Sequence, residues 1–362
     1  MKDPEKITGI YERKLIRRLL QTDQQTNALY RKFIERTSPI LAKYRYSSQG
    51  FIYRDNDLDK KLNSEINNFR KGIEKLITEN QAWAWALSNE KNREIIQTFI
   101  SDLPVSKIIQ HGINQRNIDA YLAFQKRKYN GMNLSERVWQ LANGNKEVLE
   151  YYLDAGLSIG RSAQEIGQDI QQLLDKPEKL FRRVKEVVKD SKGNEVIRFR
   201  LSKAAKSFNP GRGRYRSSVQ NARRLARTEI NMAYRSSDHE RWNSIDFVLG
   251  YEVCLSGQHP APDICDYAAG KYPKSFTFVG WHPNCLCYSV PILPDKDTFM
   301  KYLNDKEPLP DKIKDIPKSM KNYIAENSDK MKGWKKQPFW VQDNFNGGRI
   351  EEGLKFSLFS KQ

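Results

Sequence analysis

Sulfur and imidazole are scarce in this chain. Its 362 residues contain four cysteines, four histidines and six methionines. Long apolar runs are missing too. No stretch approaches the roughly 20 residues that a helix needs to cross a bilayer, which argues against a membrane-spanning protein. The opening MKDPEKITG has no apolar segment of the kind found in secretory leaders. The expectation is a protein made and kept in a cytoplasm, with no membrane contact. Its few cysteines should then be reduced, not paired in a disulfide framework. Acid is also in short supply: 44 Asp and Glu stand against 62 Lys and Arg, a net charge of +18. That excess either solvates helix faces or meets a polyanion, most simply nucleic acid.

The chain is rich, by contrast, in helical periodicity, and it has one dense cluster of rare residues. Ile7, Tyr11, Leu15 and Leu19 step by four, and Leu29, Phe33 and Ile34 continue the stripe. Ser38-Pro39 reads as the cap and first position of a new helix. Leu58, Leu62, Ile66, Phe69, Ile73 and Ile77 mark a second helix. Trp83 and Trp85 come next as core or interface anchors, and Glu90–Ile100 is helical again up to Leu103-Pro104. Asn130-Gly131 signals a turn, with Ser135 placed to cap the next helix. Asn143-Gly144 divides the apolar pattern from Val138 to Leu153 into two helices. Gly156 to Gly160 is a chain reversal, since a phosphate loop would need a lysine and a preceding strand. Ser162 and Glu165 match a capping box. VKEVV and EVIRFRL around DSKGN read as a β-hairpin.

Between Lys203 and Arg227 lie Lys203, Lys206, Arg212, Arg214, Arg216, Arg223, Arg224 and Arg227, with no acid before Glu229. With its glycines and Tyr215, this linker (203–217) suits contact with a nucleic-acid backbone or with an acidic neighbour. A helix comes after it, its apolar stripe formed by Val219, Ala222, Ala226, Ile230 and Ala233. Glu229 sits beside that stripe and needs a cation or several hydrogen bonds. It is either one half of a structural pair with Arg227 or an acid/base with a raised pKa. The lack of a nucleophile signature favours the structural role.

All four cysteines and three of the four histidines fall between His239 and Cys287. Phe247–Leu255 reads as a strand ending at Cys254. Cys265 comes next, with His259 and Asp263 before it, and then His282, Cys285 and Cys287. In an extended segment Cys285 and Cys287 face one way. Cys254, Cys265, Cys285 and Cys287, or a set in which His282 replaces one of them, suit a tetrahedral structural Zn2+. The spacing is not that of a standard zinc knuckle. The other readings are buried thiols with a backbone-bonded histidine, or a metal-dependent nuclease built from His259, Asp263, His282 and the cysteines. Beyond Leu293 prolines break up Lys- and Asp-rich segments. Tyr323–Trp334 reads as one more helix, and QPFWVQDNF as an extended aromatic piece that packs back.

Ala226-Arg227-Thr228-Glu229, Trp242, the loop leading to Asp263-Ile264-Cys265, and His282-Pro283-Asn284-Cys285-Leu286-Cys287 together resemble the Mu F-type head morphogenesis family. These are minor head proteins of tailed phages and prophages. The resemblance extends upstream to Leu153–Ile166 and ends near Leu293. At one position, Leu286, the family has an arginine, so no role of that arginine carries over. The resemblance implies an α+β fold: a mainly helical region 1–128, a Mu F-like domain 129–293 with a small Cys/His-rich β portion (254–287), and a tail 294–362. It further implies a virion protein inside the head or near the portal, acting in capsid assembly and genome packaging or delivery. Its partners would be portal or capsid proteins and, through its charge, double-stranded DNA without sequence preference. Some relatives carry toxin enzymes after this domain. The roughly seventy residues beyond it here are too few for one with its own core.

Overall fold

A computed structural model describes residues 3–47, 52–105, 115–154, 158, 160–177, 183–189, 195–201, 215–257 and 263–355. The fold is α+β, dominated by helices, with small antiparallel sheets. No helix among the described residues is long and apolar enough to cross a membrane.

The chain forms two compact units drawn from interleaved stretches. One comprises Met1–Leu20, Ile77–Leu134 and Arg227–Gln362; the other comprises Gln21–Leu76 and Ser135–Ala226. This differs from the consecutive division at 128 and 293, and the reason lies in helix length. Helix α1 runs unbroken over Pro4–Leu41, 38 residues, and α2 over Asn56–Ile100, 45 residues. Each is long enough to supply side chains to both units. Pro39 therefore lies inside α1 and does not open a new helix. Near a helix end a proline forfeits little, and Ser38 donates its hydroxyl back to the Ile34 carbonyl at 2.6 Å instead of capping. Likewise the AWAW stretch and Glu90–Ile100 continue α2 without a break.

In the second unit α1 and α2 meet through Tyr30, Phe33 and Phe69, with ring centroids 4.7 and 5.0 Å apart. Helix α4 spans Leu134–Asp154. Asn143-Gly144 does not divide it: the Tyr30 hydroxyl reaches the buried Asn145 side chain, so tertiary contacts outweigh the local turn propensity. Ser135 lies within its first turn, where it accepts from Arg70 at 3.4 Å. Helix α5, Ala163–Asp175, opens with the expected capping box between Ser162 and Glu165. Strands β3 (Arg183–Lys189) and β4 (Glu195–Leu201) pair antiparallel as the expected hairpin.

The first unit holds α3 (Ile118–Lys126), most of α6 (Ser218–Asn243) and a three-stranded sheet. That sheet has strand order β6-β5-β7, with β5 at Gly250–Cys254, β6 at Gly270–Tyr272 and β7 at Tyr288–Ile292. Short α7 (Ile264–Ala268) links β5 to β6. Three further helices complete it: α8 (Lys296–Leu303), α9 (Lys318–Lys332) and α10 (Phe339–Asn344). The stretch read as an extended aromatic piece is thus helical in part. Its Trp340, Val341 and Phe345 belong to the same core as Trp281 and Tyr272. Helix α10 is tied down by reciprocal bonds between Asn344 and the Thr277 backbone, at 2.6 and 2.8 Å.

Helix α6 also carries buried charge. Arg235 makes a two-pronged bond to Glu12 at 2.5 and 2.7 Å. Asp238 accepts from Ser88, Lys91 and Asn92 at 2.6, 2.6 and 2.7 Å. Burial pulls the Lys91 ammonium below the ordinary lysine range, against the pull of Asp238. Breaking such a pair from one side strands a charge in a desolvated place. Asp238→Ala is therefore expected to cost about 3–5 kcal/mol in a urea melt. Lys91→Met combined with Asp238→Leu should recover most of that loss. A single Asp238→Ala variant as stable as the parent would show that this charge needs no counter-ion.

Candidate metal centre

The Ala-Arg-Thr-Glu helix grips the loop that carries the cysteines. Thr228 Oγ1 accepts from the Asn284 N–H at 3.2 Å, and Asn231 Nδ2 donates to the Cys285 carbonyl at 2.8 Å. Both sit on one side of α6, three residues apart. The loop turns tightly there: Cys285 N–H bonds back to the His282 carbonyl at 3.1 Å, and Asn284 has φ +65°. Gly280 has φ +111°, and a Cβ added there would meet Cys285 Cβ at 3.3 Å. Both the torsion and the close approach require glycine. The outer side of the loop is fixed by Trp281, whose ring meets Phe276, Phe278 and Trp340 at 5.1–6.0 Å.

This folding brings Cys265, Cys285 and Cys287 together, with ligand atoms all within 4.8 Å of one another. Their exposures are 1, 3 and 2%. Cys265 Sγ lies 3.8 Å from Cys285 Sγ and 3.2 Å from His282 Nε2. A tetrahedral ion with metal–sulfur bonds of about 2.3 Å separates its sulfurs by roughly 3.8 Å. All four cysteines are free thiols. Cys254 takes no part in the cluster. The antiparallel register pairs it with Tyr288, so it shares a face with Tyr288 and not with Cys287, one residue earlier. Burial pushes its thiol up to about 11. Of the ligands open to the sequence, three cysteines converge, while His282 reaches Cys265 and joins it and Asp263 in a second, adjoining group.

The electrostatics fit a cation. Hydrogen bonds from Cys265 and then Cys287 hold the Cys285 thiol well below the usual range, whereas the Cys265 thiol is raised by giving its hydrogen to Cys285. For Cys287 the bond with Cys265 pulls the other way, yet donation to Cys285 and burial leave it pushed up to about 12. The three sulfurs oppose one another's ionisation, and a divalent ion is the agent that would let all of them ionise. His282 Nδ1 lies 2.9 Å from the Pro283 carbonyl. A carbonyl can only accept, so Nδ1 carries a hydrogen, and in the neutral ring Nε2 is the nitrogen left to bind an ion beside Cys265.

Asp263 Oδ2 also approaches His282 Nε2, at 3.2 Å. This is not a nucleophilic triad. An orienting carboxylate would have to hold the other ring nitrogen, and the Cys265 thiol is buried. Asp263 also opens α7, its Oδ1 accepting from Cys265 N–H at 2.7 Å within a capping box.

The remaining candidates lie elsewhere. Glu229 is fully buried, as its position beside the apolar stripe requires. Arg127 pairs with it, and Gln81 donates to it at 3.0 Å. Trp242 is buried, with its indole N–H on Asn92 at 2.6 Å. Arg223 bonds Asn27 at 2.6 and 3.2 Å, Arg224 stacks over the Tyr215 ring at 5.4 Å, and Arg216 is exposed. Lys203, Lys206, Arg212, Arg214 and His259 lie outside the described residues. Sequence reasoning missed Glu12, Lys91, Arg235 and Asp238. The available signal was charged residues placed at three- and four-residue steps in otherwise buried helix faces.

Comparison with protein-family models, with curated proteins and with solved structures yields no match for this chain.

His239, near the cluster in sequence, stands apart from it beside Thr277 and Asn243. Burial pushes its pKa down from 6.5 to about 4. With the folded value below the unfolded one, its contribution is fully present above pH 6.5 and is lost as pH falls toward 4. Denaturant melts should therefore show stability falling through that window, and His239→Gln should flatten the slope by up to one proton. A variant with the parent's slope would remove His239 as the cause.

Proposed function

We propose that this chain is a structural component of an assembling phage or prophage head, a minor head protein in which a structural zinc ion staples the cysteine loop to the Ala-Arg-Thr-Glu helix. The observation that carries the reading is the buried thiol set: the sulfurs of Cys265, Cys285 and Cys287, at 1–3% exposure, lie within 4.8 Å of one another, and His282 Nε2 reaches the first of them at 3.2 Å. Thiols buried in this way suit a structural ion, whereas a catalytic zinc keeps a position open to substrate. The ordered motifs from Leu153 to Leu293 support the phage assignment by resemblance, and the net charge of +18 suits a protein that meets packaged DNA. Portal or capsid proteins are the partners that the same resemblance supplies. The nuclease alternative draws on Asp263 and His282, exposed at 41 and 36% and 3.2 Å apart, and on His259, which lies outside the described residues.

Elemental analysis of the purified chain should give about one zinc per molecule. Cys285→Ser should abolish that zinc and lower the melting temperature. A metal content near zero in the native protein would remove the staple. For the DNA role, a duplex of any sequence should bind at low salt and dissociate steeply as salt rises. Absence of binding at low salt would assign the positive charge to a protein partner.

A further inference from the structure

Five donor groups surround the proposed ion, one more than a tetrahedron uses. Cys265, Cys285 and Cys287 form one group of ligand atoms within 4.8 Å of each other, and Asp263, Cys265 and His282 form another. Cys265 belongs to both. The two groups differ in depth: the thiols are buried, whereas the His282 and Asp263 side chains are 36 and 41% exposed. The cluster therefore has a sulfur floor and an oxygen–nitrogen rim that meets solvent.

At the rim, His282 Nδ1–H is engaged by the Pro283 carbonyl, so Nε2 is the ring nitrogen that faces Asp263 Oδ2 at 3.2 Å and Cys265 Sγ at 3.2 Å. Asp263 Oδ2 stabilises whatever cation Nε2 holds: a proton when the ring is an imidazolium, a metal ion when it is neutral. Asp263 divides its oxygens between two tasks. Oδ1 caps α7 on the Cys265 N–H at 2.7 Å, and Oδ2 is the oxygen turned to the rim. The cap thereby fixes a negative charge where an ion must cross from water to the thiols.

We propose that Asp263 is the exchange ligand of this site. An incoming Zn2+ is first held at the rim by Asp263, His282 and Cys265. Cys265 gives its proton to solvent as it binds; the ion then moves inward, bonds to Cys285 and Cys287 form, any proton left on those two sulfurs passes to solvent, and the bond to Asp263 breaks. The resident ion keeps three sulfurs and His282 Nε2, and Asp263 serves again when the ion leaves. This rests on the structural-metal reading above and adds to it a route and a rate.

Asp263→Asn tests the step, because asparagine keeps a good helix cap and removes the charge. Apo protein is mixed with Co2+, and the sulfur-to-cobalt absorbance is followed in a stopped-flow instrument. Release is followed after adding a chelator. The variant should take up and release Co2+ about five- to tenfold more slowly than the native chain, with an unchanged final spectrum of three thiolates and one nitrogen. Asp263→Ser, another uncharged capping residue, should match it. Native rates in the Asn variant would overturn the proposal. So would a changed final spectrum, which would make Asp263 a permanent ligand, or a difference between the Asn and Ser variants, which would make the cap the cause. These results leave the metal site standing. Failure of the native chain to bind Co2+ at all would instead remove the site itself.

Discussion

Helix α6 is the constraint on which the first unit depends, because it buries charges that must be matched. Glu229, Arg235 and Asp238 are each no more than 1% exposed. Their partners are Arg127 after α3, Glu12 on α1 and Lys91 on α2. Each acid has a base beside it, and Arg235 also lies 3.9 Å from Asp238, which links two of the pairs. An ion removed from water loses several kcal/mol of hydration, which only a well-placed partner and further hydrogen bonds restore. A hydrophobic helix would tolerate a slide along its neighbours, since apolar contacts are non-directional. A helix carrying these pairs does not, because a shift of one turn would leave a buried charge facing carbon. Charge here sets the register of α6 against α1, α2 and the loop after α3.

That register reaches the cysteines directly. Thr228, Asn231, Arg235, Asp238 and Trp242 succeed one another at three- and four-residue steps and so lie along one line of the helix. The lower part of that line makes the ion pairs, and the upper part holds Asn284 and Cys285. The position of the Cys285 sulfur is therefore inherited from the same helix that Glu12 and Lys91 hold in place. A segment with little regular structure gains a fixed geometry through two hydrogen bonds to an element that cannot slide.

Much of this was legible in the sequence where a local rule governs. The capping box at Ser162, the hairpin over 183–201, the apolar stripe of α6 and the burial of Glu229 all follow from spacing of a few residues. The alternation that puts Cys285 and Cys287 on one side is equally local. The readings that failed depended on partners distant in the chain. Pro39 and Asn143-Gly144 carry breaker signals, yet the helices continue because packing elsewhere outweighs a propensity of about 1–3 kcal/mol. Cys254 is excluded by strand register, which no spacing rule states. Arg127 lies about a hundred residues from Glu229, and no spacing rule points to so distant a partner. The tail read as proline-broken, Lys- and Asp-rich segments because its apolar residues are sparse, yet each of Phe299, Met320, Met331, Trp340 and Val341 is almost fully buried.

The dense aromatic packing changes what the sulfurs are for. A sequence poor in apolar strands suggests a metal that substitutes for a missing core, yet Tyr272, Phe276, Phe278, Trp281 and Trp340 already form one. If filling space were the only need, alanine or valine at 265, 285 and 287 would serve without the cost of burying ionisable groups. Sulfurs within ligand distance of one another beside an imidazole suit a different end. With the proposed zinc bound they would cross-link α7, the loop and the residue before β7 at one point. Rings hold the loop by its outer face and tolerate small rotations. A tetrahedral centre fixes direction as well as distance. The two together account for a loop that is irregular in backbone yet determined in shape, and for the nearness of the cysteines to a helix whose own placement charge has already settled.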